Sequence, residues 1–302
     1  MLEMKRTIFP AIIFLLLTIN LPAQEVSSGK SKIHVNNKPK VTSQTGNTSI
    51  SEGPAAAGTR FYAMIIGIDN YRDPNIPDLE KPISDAETFY NVITTKYTFE
   101  PANVKLITDA TYPQIVEALD YFGKQIRPED NFLIFFAGHG VWESQADVGF
   151  WLPSDATKGS KVAWFRNSTL RDYLREIRSK HTLLITDACF AGSILKMRDA
   201  GTDAPLAINK LYDLKSRKAM TSGTLTEVPD QSAFLKYLID RLKSNNEKYI
   251  SSEQLFSSFR IAVINNSSVV PQFGVIQDTG DEGGDFIFIL RDGSADANGS
   301  KR

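Results

Sequence analysis

From residue 61 onward the chain alternates short apolar runs with segments of helical periodicity. The first four runs are FYAMIIGI at 61–68, VKLIT at 104–108, FLIFF at 132–136 and TLLIT at 182–186. Continuous apolar runs of this length are typical of strands that are covered on both faces. We expect two further strands at 218–221 and 286–290. The alternation predicts an α/β fold with a mostly parallel, six-stranded sheet between two layers of helices.

Capping residues mark where the intervening helices begin. Ser84 stands three residues before Glu87, which is the spacing of a capping box. Thr111 precedes a proline at position 113 and is expected to open a second helix. Ser168 is expected to cap a short third helix. Two more helices are predicted over 232–243 and 251–264, so that helices lie between most of the strands.

The first residues have the pattern of a secretory signal. Lys5 and Arg6 precede an apolar run from 8 to 21, and Ala23 follows it. The run is shorter than the about 20 residues that a membrane span needs. We therefore expect a signal peptide over 1–23 and a secreted or periplasmic protein. An uncleaved anchor and a buried core helix are the alternatives.

Three further segments follow the signal. Residues 24–59 are polar and carry almost no clustered apolar side chains, so they are predicted to be a flexible linker or a removable pro-segment. The folded domain is expected over 60–291, and residues 292–302 are expected to form a disordered tail.

Composition excludes several classes of function. The chain has 34 Lys and Arg residues against 35 Asp and Glu residues, which gives no basic surface for nucleic acid. Its single cysteine excludes an intrachain disulfide scaffold and a zinc cage of several thiolates. No glycine-rich nucleotide loop follows the first strand or occurs elsewhere. We expect no cofactor.

Two reactive side chains follow two of the predicted strands. The strand at 132–136 leads into Ala-Gly-His139-Gly, and the strand at 182–186 leads into Asp-Ala-Cys189-Phe-Ala-Gly. Carboxyl ends of neighbouring parallel strands meet at one edge of the sheet. His181 begins its strand, about 26 Å from the cysteine at ~3.3 Å per residue, and His34 lies in the linker. Only His139 can therefore partner Cys189.

A cysteine beside an imidazole is a candidate nucleophile, because the imidazole favours or forms the thiolate. The glycines around His139 let a substrate backbone approach closely and leave the Gly140 amide able to donate a hydrogen bond. The alternative is a buried structural cysteine with a histidine that caps a loop. Because the cysteine and the histidine both follow the carboxyl ends of neighbouring strands, the catalytic interpretation is favoured.

These motifs resemble the caspase-like cysteine peptidases, and within them the bacterial relatives of metacaspases. The resemblance covers about residues 61–290 and is carried by seven stretches. They are MIIGIDNY (64–71), SDA (84–86), FFAGHG (135–140), FWLPSDA (150–156), LLITDACFAGS (183–193), MTSGTLTEVPDQSAF (220–234) and GDEGGDFIF (280–288). It implies a caspase-like three-layer sandwich, with His139 as base and acid and Cys189 as nucleophile. It also implies an oxyanion hole formed by the amides of Gly140 and Cys189.

Specificity separates the branches of this family. Caspases carry glutamine where Asp187 stands, and metacaspase-like enzymes carry an acid there. Asp85, in the SDA motif, matches a second acidic position of the primary substrate pocket. Two carboxylates in one partly desolvated pocket favour Arg or Lys in the substrate. For Asp85, charge matching at a helix N-terminus is an equal alternative.

The sequence departs from the metacaspase pattern at two places. Ala137 stands where a pocket serine is usual. Of the acidic positions that bind calcium in the family, only Asp155 is matched, whereas Asn167, Ser168 and Lys196 replace the others. Because calcium prefers six to eight oxygen ligands, several of them charged, a family-type calcium switch is doubtful.

Other readings of the same residues stay open. One is a gingipain- or legumain-like peptidase of different specificity, and another is a catalytically silent adaptor module. A third is a zymogen that a partner must cut. The partners expected are protein or peptide substrates, with no nucleic acid and no stable membrane association after signal cleavage. Basic residues between 196 and 218 also predict self-cleavage in the connection after the nucleophile.

Overall fold

The apolar runs form the central sheet of the domain in a computed structural model that describes residues 58–188, 194–196, 206–223 and 231–293. Its strands are β1 (Phe61–Gly67), β2 (Val104–Thr108), β3 (Asn131–Ala137), β4 (Gly140–Glu143), β5 (Val148–Trp151), β6 (Phe165–Arg166), β7 (His181–Asp187), β8 (Leu195–Lys196), β9 (Ser216–Thr221), β10 (Tyr249–Ser251), β11 (Gln272–Ile276) and β12 (Ile287–Ile289). Its helices are α1 (Pro82–Lys96), α2 (Tyr112–Gln125), α3 (Asn167–Glu176), α4 (Leu206–Asp213), α5 (Ala233–Ser244) and α6 (Ser252–Asn266). A 3-10 turn spans Pro101–Asn103.

The strand order of the central sheet is β2-β1-β3-β7-β9-β11-β8. The first five strands are parallel, and β11 is antiparallel to β9. Within the described residues, six strands of this sheet are at least five residues long, and the two-residue β8 adds to its far edge. The predicted six-stranded, mostly parallel sheet is confirmed.

One predicted strand lies elsewhere. The run expected at 286–290 forms β12, which pairs antiparallel with β10 in a separate two-stranded sheet. The sixth long strand of the central sheet is β11, which the sequence pattern did not predict. A separate three-stranded sheet, in the order β4-β5-β6, directly follows His139.

Side-chain alternation along the strands divides the core between the two faces of the sheet. On β3, Leu133 and Phe135 belong to the cluster that also contains residues of α1, α5 and α6. Phe132, Ile134 and Phe136 belong to the cluster with α2 and α3. Because successive side chains of a strand point to opposite faces, one continuous apolar run supplies both cores. The three-layer sandwich is thereby confirmed.

Two helices begin earlier than predicted. α1 begins at Pro82, and Ser84 donates to the carbonyl of Lys81 instead of capping the helix. The cap comes from a distant loop, since Asp69 Oδ1 accepts from the Ile83 amide at 2.9 Å. α3 begins at Asn167, one residue before the predicted cap Ser168, because it continues directly from β6.

Thr111 caps α2 as predicted, and the serines at which two further helices were expected to begin also act as caps. Thr111 and Ser251 each form a capping box with a glutamine three residues later. Ser232 caps α5, and its hydroxyl accepts from the Leu235 amide at 3.1 Å. These local signals decide the helix start where no distant residue competes for the same amides.

The start of the domain is held by a buried carboxylate. Asp130, which is fully buried, accepts from the Arg60 amide and from the amide and guanidinium of Arg127. The predicted signal peptide 1–23 and nearly all of the predicted linker 24–59 lie outside the described residues, as does most of the predicted tail 292–302. Among the residues that are described, no helix is long and apolar enough to span a membrane.

Candidate active site

The site lies where β3 and β7 end side by side. These parallel strands pair residue for residue from Asn131 opposite His181 to Ala137 opposite Asp187. His139 follows the end of β3 by two residues, and Cys189 follows the end of β7 by two residues. Cys189 lies outside the described residues, so the structure places His139 and the backbone that leads to the cysteine, up to Ala188.

His139 is oriented by two groups of one loop. Its Nε2 lies 2.8 Å from the carbonyl oxygen of Pro77, and its backbone amide donates to the hydroxyl of Tyr71 at 2.8 Å. The ring also packs against Tyr71, with centroids 4.9 Å apart. A proton on Nε2 that is donated to Pro77 leaves Nδ1 as the basic nitrogen. The sequence did not reveal Pro77 or Tyr71 as site residues.

Aspartates hold this loop in place. Asp109, whose backbone has a φ of 46°, accepts from the amides of Asp69 and Asn70 at 2.9 Å each. Asp78 accepts from the Tyr71 amide at 2.8 Å. These side chains satisfy backbone donors of the loop that no strand or helix supplies with acceptors. The three aspartates at 69, 73 and 78 were the sequence signal that could have identified this loop.

The Tyr71 hydroxyl is packed closely against the turn before His139. A Cβ at Gly138 would lie 3.1 Å from the Tyr71 Oη and 3.3 Å from the Ile68 side chain, so a larger residue would push this contact apart. Burial raises the pKa of Tyr71 well above its usual range, and the tyrosine therefore stays a neutral hydroxyl.

We expect Tyr71→Phe to lower kcat about tenfold with little change in KM, because the His139 amide loses its acceptor and the imidazole loses its fixed position. Tyr121→Phe is the matched control, since Tyr121 is exposed on α2 and its ring contact with Lys105 survives the substitution. Steady-state kinetics on both purified variants measure the effect. Equal kcat values in the two variants would contradict the positioning role of Tyr71.

The Gly140 amide lies on the side of β4 that faces away from β5. The Leu152 amide donates to the His139 carbonyl at 3.0 Å, next to the pair formed by Gly140 and Trp151. In an antiparallel ladder with this bond, Gly140 belongs to a pair that exchanges no hydrogen bonds. Its N–H is therefore directed away from β5.

The structure brings the two predicted pocket carboxylates together. Asp187 is buried at the end of β7, and Asp85 lies half-buried in the first turn of α1. Burial raises the pKa of Asp187 to about 6; the charge of Asp85 adds to the rise, and the hydroxyls of Ser222 and Ser232 partly offset it. Asp187 Oδ1 has no hydrogen-bond partner among the described residues. It is a buried acceptor available to a donor from outside.

A cavity of ≈ 380 Å³ opens beside these carboxylates. Its lining consists of residues at the start of α1, in α5 and α6 and in the turn before α5: Lys81, Asp85, Gln231, Ser232, Ala233, Lys236, Tyr237 and Asn266. Asp85 and Ser232 line this cavity, and both also act on the carboxyl of Asp187.

The remaining predicted positions have other contacts. Asp155 Oδ1 accepts from the Tyr112 amide at 2.8 Å, at the start of α2. Asn167 is buried, and Ala137 is buried at the end of β3. In the described part of the chain, no group of three or more His, Cys, Asp or Glu residues could hold a metal ion.

His181 lies at the amino end of β7, as predicted, and is buried away from the site. Its Nε2 lies 2.9 Å from the Tyr212 carbonyl, and its Nδ1 lies 2.6 Å from Asn131 Oδ1. Burial lowers its pKa to about 3, so the ring is uncharged at neutral pH. It joins β7 to the end of α4 and is a structural histidine.

The mostly parallel sheet between two layers of helices is the fold expected of a caspase-like α/β peptidase. The family model of the caspase domain, peptidase family C14, matches residues 60–277. The chain therefore belongs to the caspase-domain family, and is a caspase-like cysteine peptidase.

Two further comparisons complete the picture. The crystal structure of protein GSU0716 from Geobacter sulfurreducens is similar, with a TM-score of 0.50 and 16% sequence identity, over 75% of this chain and 99% of that one. This similarity concerns the fold alone. No curated protein matches the chain.

Proposed function

We propose that this protein is an endopeptidase in which Cys189 is the nucleophile and His139 the general base and acid. The observation that carries the proposal is the position of His139, two residues beyond the Ala137–Asp187 pair, with Nε2 2.8 Å from Pro77 O. Cys189 follows the other member of that pair by the same two residues. The proposal places it within reach of His139 Nδ1.

Each step of the proposed reaction has a residue assigned to it. His139 Nδ1 takes the Cys189 thiol proton, and the sulfur attacks the peptide carbonyl carbon. The amides of Gly140 and Cys189 stabilise the resulting oxyanion. The C–N bond then breaks as His139 gives its proton to the leaving amine. Water, activated by the same imidazole, hydrolyses the thioester and restores the thiol.

We further propose that the bond is cut after Arg or Lys, as in the metacaspase-like branch. Asp187 Oδ1 is buried without a partner among the described residues, and Asp85 lies close enough to raise its pKa. A guanidinium satisfies such a carboxylate with paired hydrogen bonds, whereas an acidic substrate side chain would add a third negative charge. An apolar side chain would leave Asp187 Oδ1 without a donor.

Covalent labelling tests this function directly. A peptide that carries Arg next to a cysteine-reactive group is expected to add once to the protein, and peptide mapping is expected to locate the adduct on Cys189. The matched peptide with Asp in place of Arg is expected to react at least about 100-fold more slowly. Faster labelling by the Asp peptide than by the Arg peptide would contradict the proposed specificity for Arg or Lys. Labelling by neither peptide, with no cleavage of a substrate library, favours the silent adaptor module.

The contacts of five of the six basic residues between 196 and 218 make them poor sites for the predicted self-cleavage. Arg217 and Lys218 are buried in β9, and Lys210 lies within α4. The Lys215 carbonyl accepts from the amides at 282 and 284, and Lys196 belongs to β8. A chain must be locally extended and mobile to enter an active site, so these positions are poor sites. Arg198, outside the described residues, is the remaining basic residue of this window.

We expect self-cleavage, where it occurs, after Arg198. Wild-type protein should give two fragments whose masses report that bond, and Arg198→Ala should remain intact. Lys210→Ala is the matched control and should be cut like wild type. Intact-mass spectrometry after incubation decides between them, and cutting of Arg198→Ala at the same rate would show that the site lies elsewhere.

A further inference from the structure

The strand that begins at Gly140 lies at the edge of its sheet. β4 is the outer strand of the three-stranded sheet, and its four residues, Gly140–Glu143, are all half-buried. Among the described residues, no strand pairs with it on the side away from β5. A strand edge without a partner strand is a template for another extended chain.

The free hydrogen-bonding groups of this edge follow from its register. Gly140 and Trp142 stand opposite Trp151 and Gly149 in the pairs that exchange no hydrogen bonds with β5. The N–H and C=O of both residues are therefore directed to the open edge. The Gly140 amide, placed at the oxyanion in the proposed function, is thus the first donor of a row that continues to Trp142.

The position of β4 in the layers indicates which half of a substrate would meet it. Trp151 and Phe165, from β5 and β6, belong to the core cluster of α2 and α3. The carboxylates Asp85 and Asp187 lie toward α1 and α5, on the opposite face of the central sheet. With its side chain on those carboxylates, a substrate residue would lie on one side of the strand ends and β4 on the other. A chain that continues from it across the strand ends would reach β4.

We propose that the open edge of β4 binds the leaving-group half of the peptide substrate as an added parallel strand. This inference rests on the proposed function. When the Gly140 amide donates to the scissile carbonyl, the parallel hydrogen-bond pattern fixes the rest. The second residue after the scissile bond donates its N–H to the Gly140 carbonyl and accepts from the Trp142 amide. The first and third residues turn their amides away.

N-methylated substrates test this register on the wild-type enzyme. Two peptides are compared: a long one with three residues after the scissile bond, and a short one with a single residue after it and an amidated C-terminus. The long peptide is expected to have about tenfold higher kcat/KM. N-methylation of the second residue after the cut should abolish this gain. N-methylation of the third, the matched control, should preserve it. Loss of the gain with the third residue only would overturn the parallel register.

A pair of enzyme variants tests the same hydrogen bonds from the other side. Trp142→Pro removes the amide donor, and proline is tolerated on an edge strand where its N faces away from the partner. Trp142→Ala removes the indole but keeps the amide. The ratio of kcat/KM for the long and short peptides should fall to about one in Trp142→Pro and stay near the wild-type value of about ten in Trp142→Ala.

The outcomes separate this inference from the proposed function. Cleavage of both peptides with a wild-type ratio near one contradicts the β4 inference alone. Failure of wild-type protein to cleave either peptide contradicts the proposed function, and the inference falls with it. A ratio that falls equally in Trp142→Pro and Trp142→Ala would assign the effect to the indole and overturn the hydrogen-bonding proposal.

Discussion

His139→Ala is expected to lower kcat/KM for an Arg peptide by at least about 10⁴-fold, and Cys189→Ala by a similar factor. The two residues act as one unit, because the imidazole both forms the thiolate and protonates the leaving amine. His139 is only half-buried, and its ring packs against Tyr71. The substitution should therefore leave the fold intact, and thermal unfolding of the variant should show this.

The single cysteine allows a second readout of the same prediction. Because the chain has one cysteine, alkylation by iodoacetamide reports Cys189 alone. In wild-type protein the reaction should be fast at pH 6–7, since His139 stabilises the thiolate. In His139→Ala its rate should follow an ordinary thiol, with a pKa of about 8.5.

Two other histidines provide controls. His34→Ala should keep full activity, because His34 belongs to the polar segment before the domain. His181→Ala should lower stability, since His181 is buried and hydrogen-bonded at the amino end of β7. A His139→Ala enzyme that turns over like the His34→Ala protein would refute the assignment of the base.

The central strands could be predicted because they are buried on both faces and therefore consist of continuous apolar runs. β11 could not, since QFGVI at 272–276 is half-buried and its place is set by pairing with β9. The run at 286–290 was predicted as a strand but assigned to the wrong sheet, because apolar character does not name a partner. The start of α1 was missed for a related reason: its cap, Asp69, comes from another loop.

The chemistry of the site was predictable only where side chains carry it. His139, Asp85 and Asp187 stand in motifs, and the structure places the two carboxylates close together. The orienting group of His139 is the backbone carbonyl of Pro77, and a carbonyl has no signature in a sequence. Its position depends on a loop held by Asp109, which lies 30 residues or more along the chain.

Asp187→Asn is expected to lower kcat/KM for an Arg peptide by at least about 100-fold, because the buried carboxylate is the proposed partner of the substrate guanidinium. The pKa of about 6 for Asp187 adds a pH dependence. In wild-type protein, kcat/KM for Arg should rise with pH through an apparent pKa near 6 as this carboxyl loses its proton. In Asp187→Asn, kcat/KM should show no rise with pH through this pKa.

The same substitution is expected to stabilise the free enzyme. Folding raises the pKa of Asp187 from its ordinary 3.8 to about 6, so the folded state holds the proton more tightly than the unfolded chain. The ionised carboxylate thus costs up to about 3 kcal/mol. This cost is absent below about pH 4, grows between pH 4 and 6, and is complete above pH 6.

Urea unfolding at pH 7.5 and at pH 4 measures this cost. Asp187→Asn should be more stable than wild type by up to about 3 kcal/mol at pH 7.5, with the difference largely gone at pH 4.

Asp85→Asn is the informative control for the pH dependence of activity. It removes a neighbouring charge that raises the pKa of Asp187, so the rise of kcat/KM with pH should move to lower pH without disappearing. An active site that retains a buried, ionised carboxylate is less stable than it would be without it, and this is the expected consequence of selecting a cationic substrate. A variant that is both less stable at pH 7.5 and fully active on Arg peptides would show that Asp187 serves the fold and has no part in substrate binding.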